Sequence, residues 1–307
     1  MAFLVALLLA VFLALIVHVV PGDPVTAILG ERTTPELIRT VRDQMDLDKP
    51  VTTQVAGFVG HALRGDLGRD FISNEPVTSL IGNALPHTVV LAVSGLLLAI
   101  VIGVPLGVLA ATRANGIVDR VTGIVSISLI TMPAYVSGLY LLLLFSLTFK
   151  LFPAVGTGSF SDPLDYVRHL ALPAVALSLG WIGYFARLVR ASMLEVLNAN
   201  YIRTAYAFGV RERVIFYKHA LKNAIIPTVA VLGVGLGELM GGAVFVEAIF
   251  SRVGLGTLIV DSIELRNYTV LRGAVLTVAL LFVLANLLAD LSYRFLDPRI
   301  RVEEPAV

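Results

Sequence analysis

The sequence predicts an all-α, polytopic membrane protein that crosses a lipid bilayer six times. Hydrophobic residues make up 57% of its 307 residues and charged residues only 15%, whereas soluble domains have about 45–50% apolar and about 25% charged residues. The apolar residues are concentrated in long runs, and a helix needs about 20 of them to span the hydrocarbon core. Because lipid offers the backbone no hydrogen-bonding partners, we expect each run to be helical.

Six apolar segments are long enough to span. The first, residues 2–20, is apolar except for His18 and lacks both the basic start and the A-x-A-like cleavage site of a signal peptide, so we interpret it as a retained span. We therefore predict a first transmembrane helix over residues 1–20, an extracytoplasmic cap over 21–87 and a five-helix core over 88–307. The five later spans cover residues 88–111, 121–149, about 170 to beyond 187, about 224–250 and about 273–291.

Positively charged residues lie in alternate loops, which predicts the orientation. The loop between the fourth and fifth spans has seven Lys and Arg residues between positions 187 and 222, against only Glu195 and Glu212. The loop after the second span, with Arg113 and Arg120, and the C-terminal tail are also basic. Because short basic loops stay on the cytoplasmic side, six spans predict that both termini are cytoplasmic.

The sequence lacks the motifs of several enzyme classes. It contains no cysteine, which excludes disulfides, thiolate metal sites and cysteine nucleophiles. It has no G-x-x-x-x-G-K-[ST] motif for ATP and no H-E-x-x-H motif for zinc. Of the five histidines only His18 lies in a predicted span, so we identify no serine with a histidine base. We predict a protein that is not an enzyme and has no cofactor or metal of its own.

The loop after the fourth span has the pattern of two short helices. Apolar residues recur at helical spacing at Ile202, Ala205 and Phe208, and again from Val214 onwards. Gly209 lies between the two runs and is expected to end the first helix. Two interpretations of this basic helix–glycine–helix unit stay open. One is an interfacial helix held by anionic lipid; the other is a docking helix for a cytoplasmic protein, which the small residues before Gly209 favour.

Four residues are candidates for a translocation path or gate. Glu238 lies well inside the fifth span, where an ionisable residue indicates function. It either binds a cation or a proton, or it faces water or a partner helix. Glu247 is at the end of the same span and is also interpretable as a structural anchor, and Met240 lies between the two carboxylates. Pro133 interrupts the third span and either kinks it or lines a path.

The basic loop resembles a known family. Its sequence R-T-A-x-A-x-G at 203–209, followed by K-H-A-L-K-N-A-I-I-P at 218–227, resembles the "EAA" coupling loop of ABC importer permeases of the dipeptide/oligopeptide/nickel family. Arg203 stands where the general motif has Glu, and Lys222 where it has Pro, which fits the peptide branch. Further stretches similar to this family are P-G-D-P at 21–24, L-D-K-P at 47–50, G-D-L-G at 65–68, G-G-A-V-F-V-E at 241–247 and L-D-P-R-I-R at 296–301.

The resemblance implies a type I ABC importer permease fold and a subunit of an ATP-driven dipeptide or oligopeptide importer in a bacterial plasma membrane. It implies a second permease, two cytoplasmic ATPase subunits that bind ATP and Mg²⁺, an extracytoplasmic binding protein and surrounding lipid as partners, and no nucleic acid. Within the cytoplasmic coupling loop, 198–223, it assigns contact with the ATPase to Tyr201, Arg203, Thr204, Ala205, Ala207, Phe208, Gly209 and Arg213.

Two alternative functions stay open from the sequence. A permease of this family also suits nickel or another small chelate or haem-like solute. A proton-coupled secondary transporter would use a buried carboxylate such as Glu238, but such transporters are usually built from internal repeats, and the sequence shows no repeat.

Overall fold

The computed structural model describes Val11 and residues 51–296, and this part of the chain is built from helices joined by turns and loops. Outside the helices, an isolated antiparallel bridge joins Arg69 to Pro76. We number the helices α1 (Val51–Ala62), α2 (Val77–Thr112), α3 (Ile117–Thr131), α4 (Ala134–Leu141), α5 (Pro163–Leu197), α6 (Asn200–Ala207), α7 (Glu212–Val214), α8 (Leu221–Ala224), α9 (Ile226–Ala230), α10 (Leu232–Ile249), α11 (Leu255–Glu264) and α12 (Tyr268–Leu296). Two π-helical segments, Leu142–Thr148 and Ile215–Ala220, extend α4 and join α7 to α8.

Several helices are long and apolar enough to cross a membrane. Four of them, α2, α5, α10 and α12, do so individually, and α3 together with α4 and its π-helical extension counts as a fifth if this bent pair is one span. The prediction of a polytopic helical membrane protein is therefore confirmed. The first predicted span lies outside the described residues apart from Val11, so the count of six stays a prediction.

Several predicted spans differ from the helices that form: the fourth begins earlier, at Pro163, and the fifth is divided among α8, α9 and α10. Helix α2 begins at Val77 rather than at residue 88, because Val77, Ile81 and Ala84 pack against Leu255 and Val270 and continue the helix past the apolar run. The third span is not straight, since α3 and α4 meet at an angle of 101°.

Pro133 explains this bend. It has no N–H to donate to the preceding turn, and its ring disfavours the α conformation at the residue before it. Met132 accordingly takes φ −85° and ψ 117°, which ends α3.

Helix α5 is the centre of the bundle and lies closest to α2. Cβ atoms at Gly103 and Gly107 of α2 would come within 2.8 Å and 2.7 Å of the backbone oxygens of Ile182 and Ala186. Only glycine at these two positions, one turn apart, allows the two backbones to approach so closely.

The ends of α2 and α5 carry the loop helices. Val108 of α2 and Met193 of α5 pack with Ile202 of α6, Ile215 and Ala220 in one buried cluster. This cluster fixes α6, α7 and α8 at one end of the bundle. We call it the basic end, because the Arg and Lys residues of the loop after α5 lie there. The opposite end contains the start of α2 and helix α11.

Candidate functional site

Helix α6 ends in a complete Schellman motif at Gly209. The Val210 N–H donates to the Ala205 carbonyl at 3.1 Å, and the Gly209 N–H donates to the Tyr206 carbonyl at 3.0 Å. Gly209 has φ +72°, a left-handed conformation that glycine adopts without the Cβ clash of other residues. The predicted helix–glycine–helix unit is confirmed, with the next helix beginning at Glu212.

The two sides of α6 differ sharply in exposure. Ile202 is completely buried against α2 and α5, and Ala205 packs partly against the same cluster. Phe208, by contrast, is 82% exposed. The exposed side, which we call the coupling face, includes Tyr201, Arg203, Thr204, Ala207, Phe208, Gly209 and Arg213, all of them residues that the sequence singled out.

A hydrogen bond ties α6 to α8. The Asn223 side-chain amide donates to the Tyr201 hydroxyl at 2.8 Å. Helix α6 is therefore anchored at its start by two neighbouring residues, the buried Ile202 and Tyr201, which accepts this hydrogen bond. Asn223 was not identified from the sequence, because its partner lies 22 residues away in the chain.

A second feature is a cavity of about 430 Å³ beside the bend at Pro133, which we call the central cavity. Pro133 and Glu238 both line it, so the structure brings these two candidates together. Its remaining lining is apolar or aromatic and comes mainly from α5 and α10. Glu238 is exposed in the single chain, and it is the only charged residue among those that line the cavity.

Met240 and Glu247, the other two candidates, lie elsewhere. Met240 is 3% exposed and packs in the core cluster between α2, α5 and α10. Glu247 is completely buried, and its carboxylate accepts hydrogen bonds from the Thr88 hydroxyl and the Gly256 N–H, each at 2.7 Å. The role of either residue in a path stays a prediction.

Glu247 belongs to a buried polar group at the opposite end of the bundle. Arg252 is also completely buried; its guanidinium donates to the Tyr166 hydroxyl at 2.7 Å and lies 4.9 Å from the centre of that ring. Burial lowers the pKa of Arg252, while the nearby Tyr166 and Glu247 act in the other direction. This group joins α2, α5, α10 and α11, and the sequence indicated only Glu247 of it.

A larger cavity of about 770 Å³ lies towards the basic end, and we call it the basic cavity. Arg120 and Arg187 line it together with Asp119 and Arg190, which form an ion pair. Ile130 and Tyr184 line both cavities, so the two are adjacent. In the described part of the chain, no group of three or more His, Cys, Asp or Glu side chains could hold a metal ion.

These features define a class of protein. Apolar helices long enough to cross a membrane, an exposed basic helix pair at their ends and a cavity lined by a carboxylate without a partner in the described part of the chain are features of a membrane transport subunit. Family comparison agrees with this class. Residues 103–302 match the family of inner membrane components of binding-protein-dependent transport systems, and residues 1–92 match the N-terminal domain of such components. The chain belongs to this family, whose members are the permeases of ABC transporters.

Similar proteins have closely matching lengths. A putative peptide permease protein of Brucella suis biovar 1 (strain 1330) is 38% identical over 303 residues, which cover 96% of this chain and 95% of that protein. The glutathione transport system permease protein GsiC of Pectobacterium atrosepticum is 38% identical over 295 residues, with 96% and 94% covered.

A solved structure has the same fold. The inward-facing MetNI methionine ABC transporter, in its CY5 native crystal form, has a chain similar to this one with a TM-score of 0.60 and 20% identity, covering 71% of this chain and 96% of that one. The expected type I ABC importer permease fold is thus confirmed.

Proposed function

We propose that this chain is the permease subunit of an ATP-driven peptide importer in a bacterial plasma membrane, with both termini cytoplasmic. Two relatives that match almost the whole chain support peptides as the substrate, since one is named for peptide and the other for glutathione, itself a tripeptide. The basic residues at one end of the bundle support the orientation, because short basic loops stay in the cytoplasm.

In this proposal the coupling face docks on a cytoplasmic ATPase, which binds ATP and Mg²⁺. The observation that carries it is the contrast between Phe208, which is 82% exposed, and Ile202, which is fully buried on the ends of α2 and α5. An exposed aromatic residue on a basic surface suits a protein interface. A push on this face reaches the spanning helices through Ile202, because packed cores transmit displacement rather than absorb it.

A second permease, in the same proposal, completes the translocation path. The central cavity contains an exposed carboxylate, Glu238, on a helix long enough to span. A carboxylate in that position is very costly against lipid. A second permease packed on this side would remove it from lipid and enclose the cavity, and an extracytoplasmic binding protein would deliver peptide to its outer mouth.

Purification of the complex tests the docking. With a tag on this chain and its neighbouring transport genes co-expressed, two ATPase subunits and a second permease should co-purify. Phe208→Ala should reduce the recovered ATPase about tenfold, the effect of losing a strong interface residue. Leu63→Ala is the matched control, since Leu63 is 76% exposed but lies at the end of α1, outside the coupling face.

Reconstitution tests the energy source. Peptide uptake into proteoliposomes should require ATP on the ATPase side and the binding protein on the other. If the chain alone carries out uptake, or if a proton gradient replaces ATP, the proposal is wrong.

A further inference from the structure

Glu238 has no partner in the described part of the chain. Its carboxylate makes no hydrogen bond or ion pair with any residue there, although Asp119 in the neighbouring cavity is paired. Glu238 also lies one turn beyond Gly235 on α10, and a Cβ at Gly235 would come within 2.9 Å of the Trp181 ring. Glycine therefore lets the indole lie against α10 next to the carboxylate, since positions three apart share a helix face.

The other walls of the central cavity also favour a positive charge. Trp181 and Tyr184 both line it and pack edge-to-face with ring centroids 5.2 Å apart, and aromatic faces attract organic cations. Helix α3 ends and α4 begins beside the cavity, so the partial charges of the two helix ends oppose each other there and Glu238 supplies the net negative charge of the lining.

The neighbouring basic cavity has the opposite charge. Arg120, Arg187 and Arg190 line it against a single carboxylate, Asp119. Tyr184 borders both cavities, so a molecule that passes between them meets a negative region on one side and a positive region on the other. A peptide with free ends carries these two charges, a positive amine at one end and a negative carboxylate at the other.

We propose that the central cavity is a binding site for a primary ammonium group, and that Glu238 recognises the N-terminal amine of the peptide in transit. This inference rests on the proposed function, because it assigns a peptide to the path. Trp181 and Tyr184 cover the ammonium from the side, and Arg120 and Arg187 of the basic cavity, which lie outside the Asp119–Arg190 ion pair, receive the carboxylate end.

A metal ion fits the central cavity less well. Ca²⁺ takes six to eight oxygen ligands and Mg²⁺ needs a near-octahedral set, whereas Glu238 is the only acidic residue in this lining. One carboxylate beside two aromatic rings matches an organic ammonium, which needs only one counter-charge and an apolar wall.

Trp181 provides a direct measurement, since it is the only tryptophan of the chain. The assembled complex without its binding protein would be titrated with trialanine and with N-acetyl-trialanine, whose blocked amine cannot be protonated. The signal is the difference in tryptophan fluorescence between the complex and its Trp181→Phe form, which removes the background of the partner subunits. Omitting the binding protein keeps its own selectivity out of the result.

We expect saturable binding of trialanine that Glu238→Gln weakens about tenfold, the effect of losing a charge-assisted hydrogen bond. N-acetyl-trialanine should bind weakly to both forms, with less than about a twofold difference between them on the same reasoning. Glu264→Gln is the matched control, because Glu264 is an exposed carboxylate outside the cavity lining, and it should leave trialanine binding unchanged.

Three results would overturn the inference. The first is that the wild type gives no fluorescence change with trialanine, and the second is that Glu238→Gln weakens the binding of both peptides equally. The third is that the Glu238→Gln chain no longer co-purifies with the second permease, which would make Glu238 a subunit contact. If wild-type uptake still requires ATP in those cases, the proposed function stands and only the ammonium site fails. If wild-type uptake does not require ATP, the proposed function itself fails.

Discussion

Asp119 and Arg190 form a bidentate ion pair that joins the start of α3 to the last turns of α5. The guanidinium donates through Nε to one carboxylate oxygen and through Nη2 to the other, the second at 2.8 Å. Asp119 also accepts the Asn115 N–H at 2.8 Å, and Asn115 has φ +64° in the turn after α2. One carboxylate therefore holds both the turn and the neighbouring helix at the wall of the basic cavity.

Breaking this ion pair should loosen the basic end. Asp119→Asn removes the charge and Arg190→Lys removes the two-pronged geometry that lysine cannot reproduce. We expect each to lower the apparent midpoint of thermal unfolding of the purified complex by about 2 °C, the size of shift that one modest interaction produces in a large domain. Differential scanning fluorimetry at one fixed scan rate would measure it.

Exchanging the two charged residues separates the stability that the ion pair contributes from the other effects of each substitution. The double variant Asp119→Arg with Arg190→Asp should recover part of the lost stability, because the opposite charges still face each other. If the double variant loses as much stability as the single variants Asp119→Arg and Arg190→Asp lose together, or more, the ion pair is not the stabilising contact.

Gly209 should be sensitive even to the smallest substitution. Its φ of +72° costs an L-residue about 1–2 kcal/mol, and no atom lies within 4 Å of a Cβ built there, so strain and not crowding is the expected cause. Gly209→Ala should shift the Schellman turn, tilt the coupling face and lower peptide-stimulated ATP hydrolysis several-fold.

Gly57→Ala is the control for this experiment. Gly57 lies inside α1, and a Cβ there would also meet open space, so alanine should leave the ATPase rate unchanged. Gly209→Asn adds a graded test, because asparagine tolerates the left-handed conformation better than alanine. An alanine variant that couples better than the asparagine variant would contradict the account.

Some of these features could be predicted from the sequence and others could not. The roles of Gly209 and Ile202 could be predicted because helix ends and helical periodicity are local patterns, visible within about a dozen residues. The bend at Pro133 could be predicted only in part, since a proline predicts a break but not an angle of 101°. The partners of Glu247 could not be predicted, because Thr88 lies 159 residues away in the chain and periodicity carries no information on such pairings.

Glu247 should be a stability residue at the opposite end of the bundle. Glu247→Ala would leave the Thr88 hydroxyl and the Gly256 N–H without their acceptor in a buried site. Each unsatisfied buried donor costs about 1–3 kcal/mol, so we expect a large loss of folded protein. Glu247→Gln keeps one acceptor oxygen and should be intermediate between alanine and the wild type.

The amount of monodisperse complex in size-exclusion chromatography would measure this order, with Glu264→Ala, an exposed glutamate, as the control. The rate of backbone hydrogen exchange at 254–257 should be lowest in the wild type, higher in Glu247→Gln and highest in Glu247→Ala, because the Gly256 N–H at the start of α11 donates to Glu247. Equal yields for alanine, glutamine and wild type would show that the buried carboxylate does not stabilise this end.

Met132 and Met240 should differ in their access to water. Met132 lines the central cavity, whereas Met240 is 3% exposed in the core cluster. Because the chain has no cysteine, Met132→Cys and Met240→Cys each introduce a single thiol into it, and both replace the same type of side chain. A thiol reacts as its thiolate, which a buried apolar site disfavours, so a charged methanethiosulfonate reagent should modify the Met132→Cys chain at least about tenfold faster. Trialanine in excess should slow only that reaction, because the peptide occupies the same cavity. If the Met132→Cys thiol reacts as slowly as the buried Met240→Cys thiol, the cavity holds no water in the assembled complex, and a faster reaction at Met240→Cys would contradict the placement of Met240 in the core.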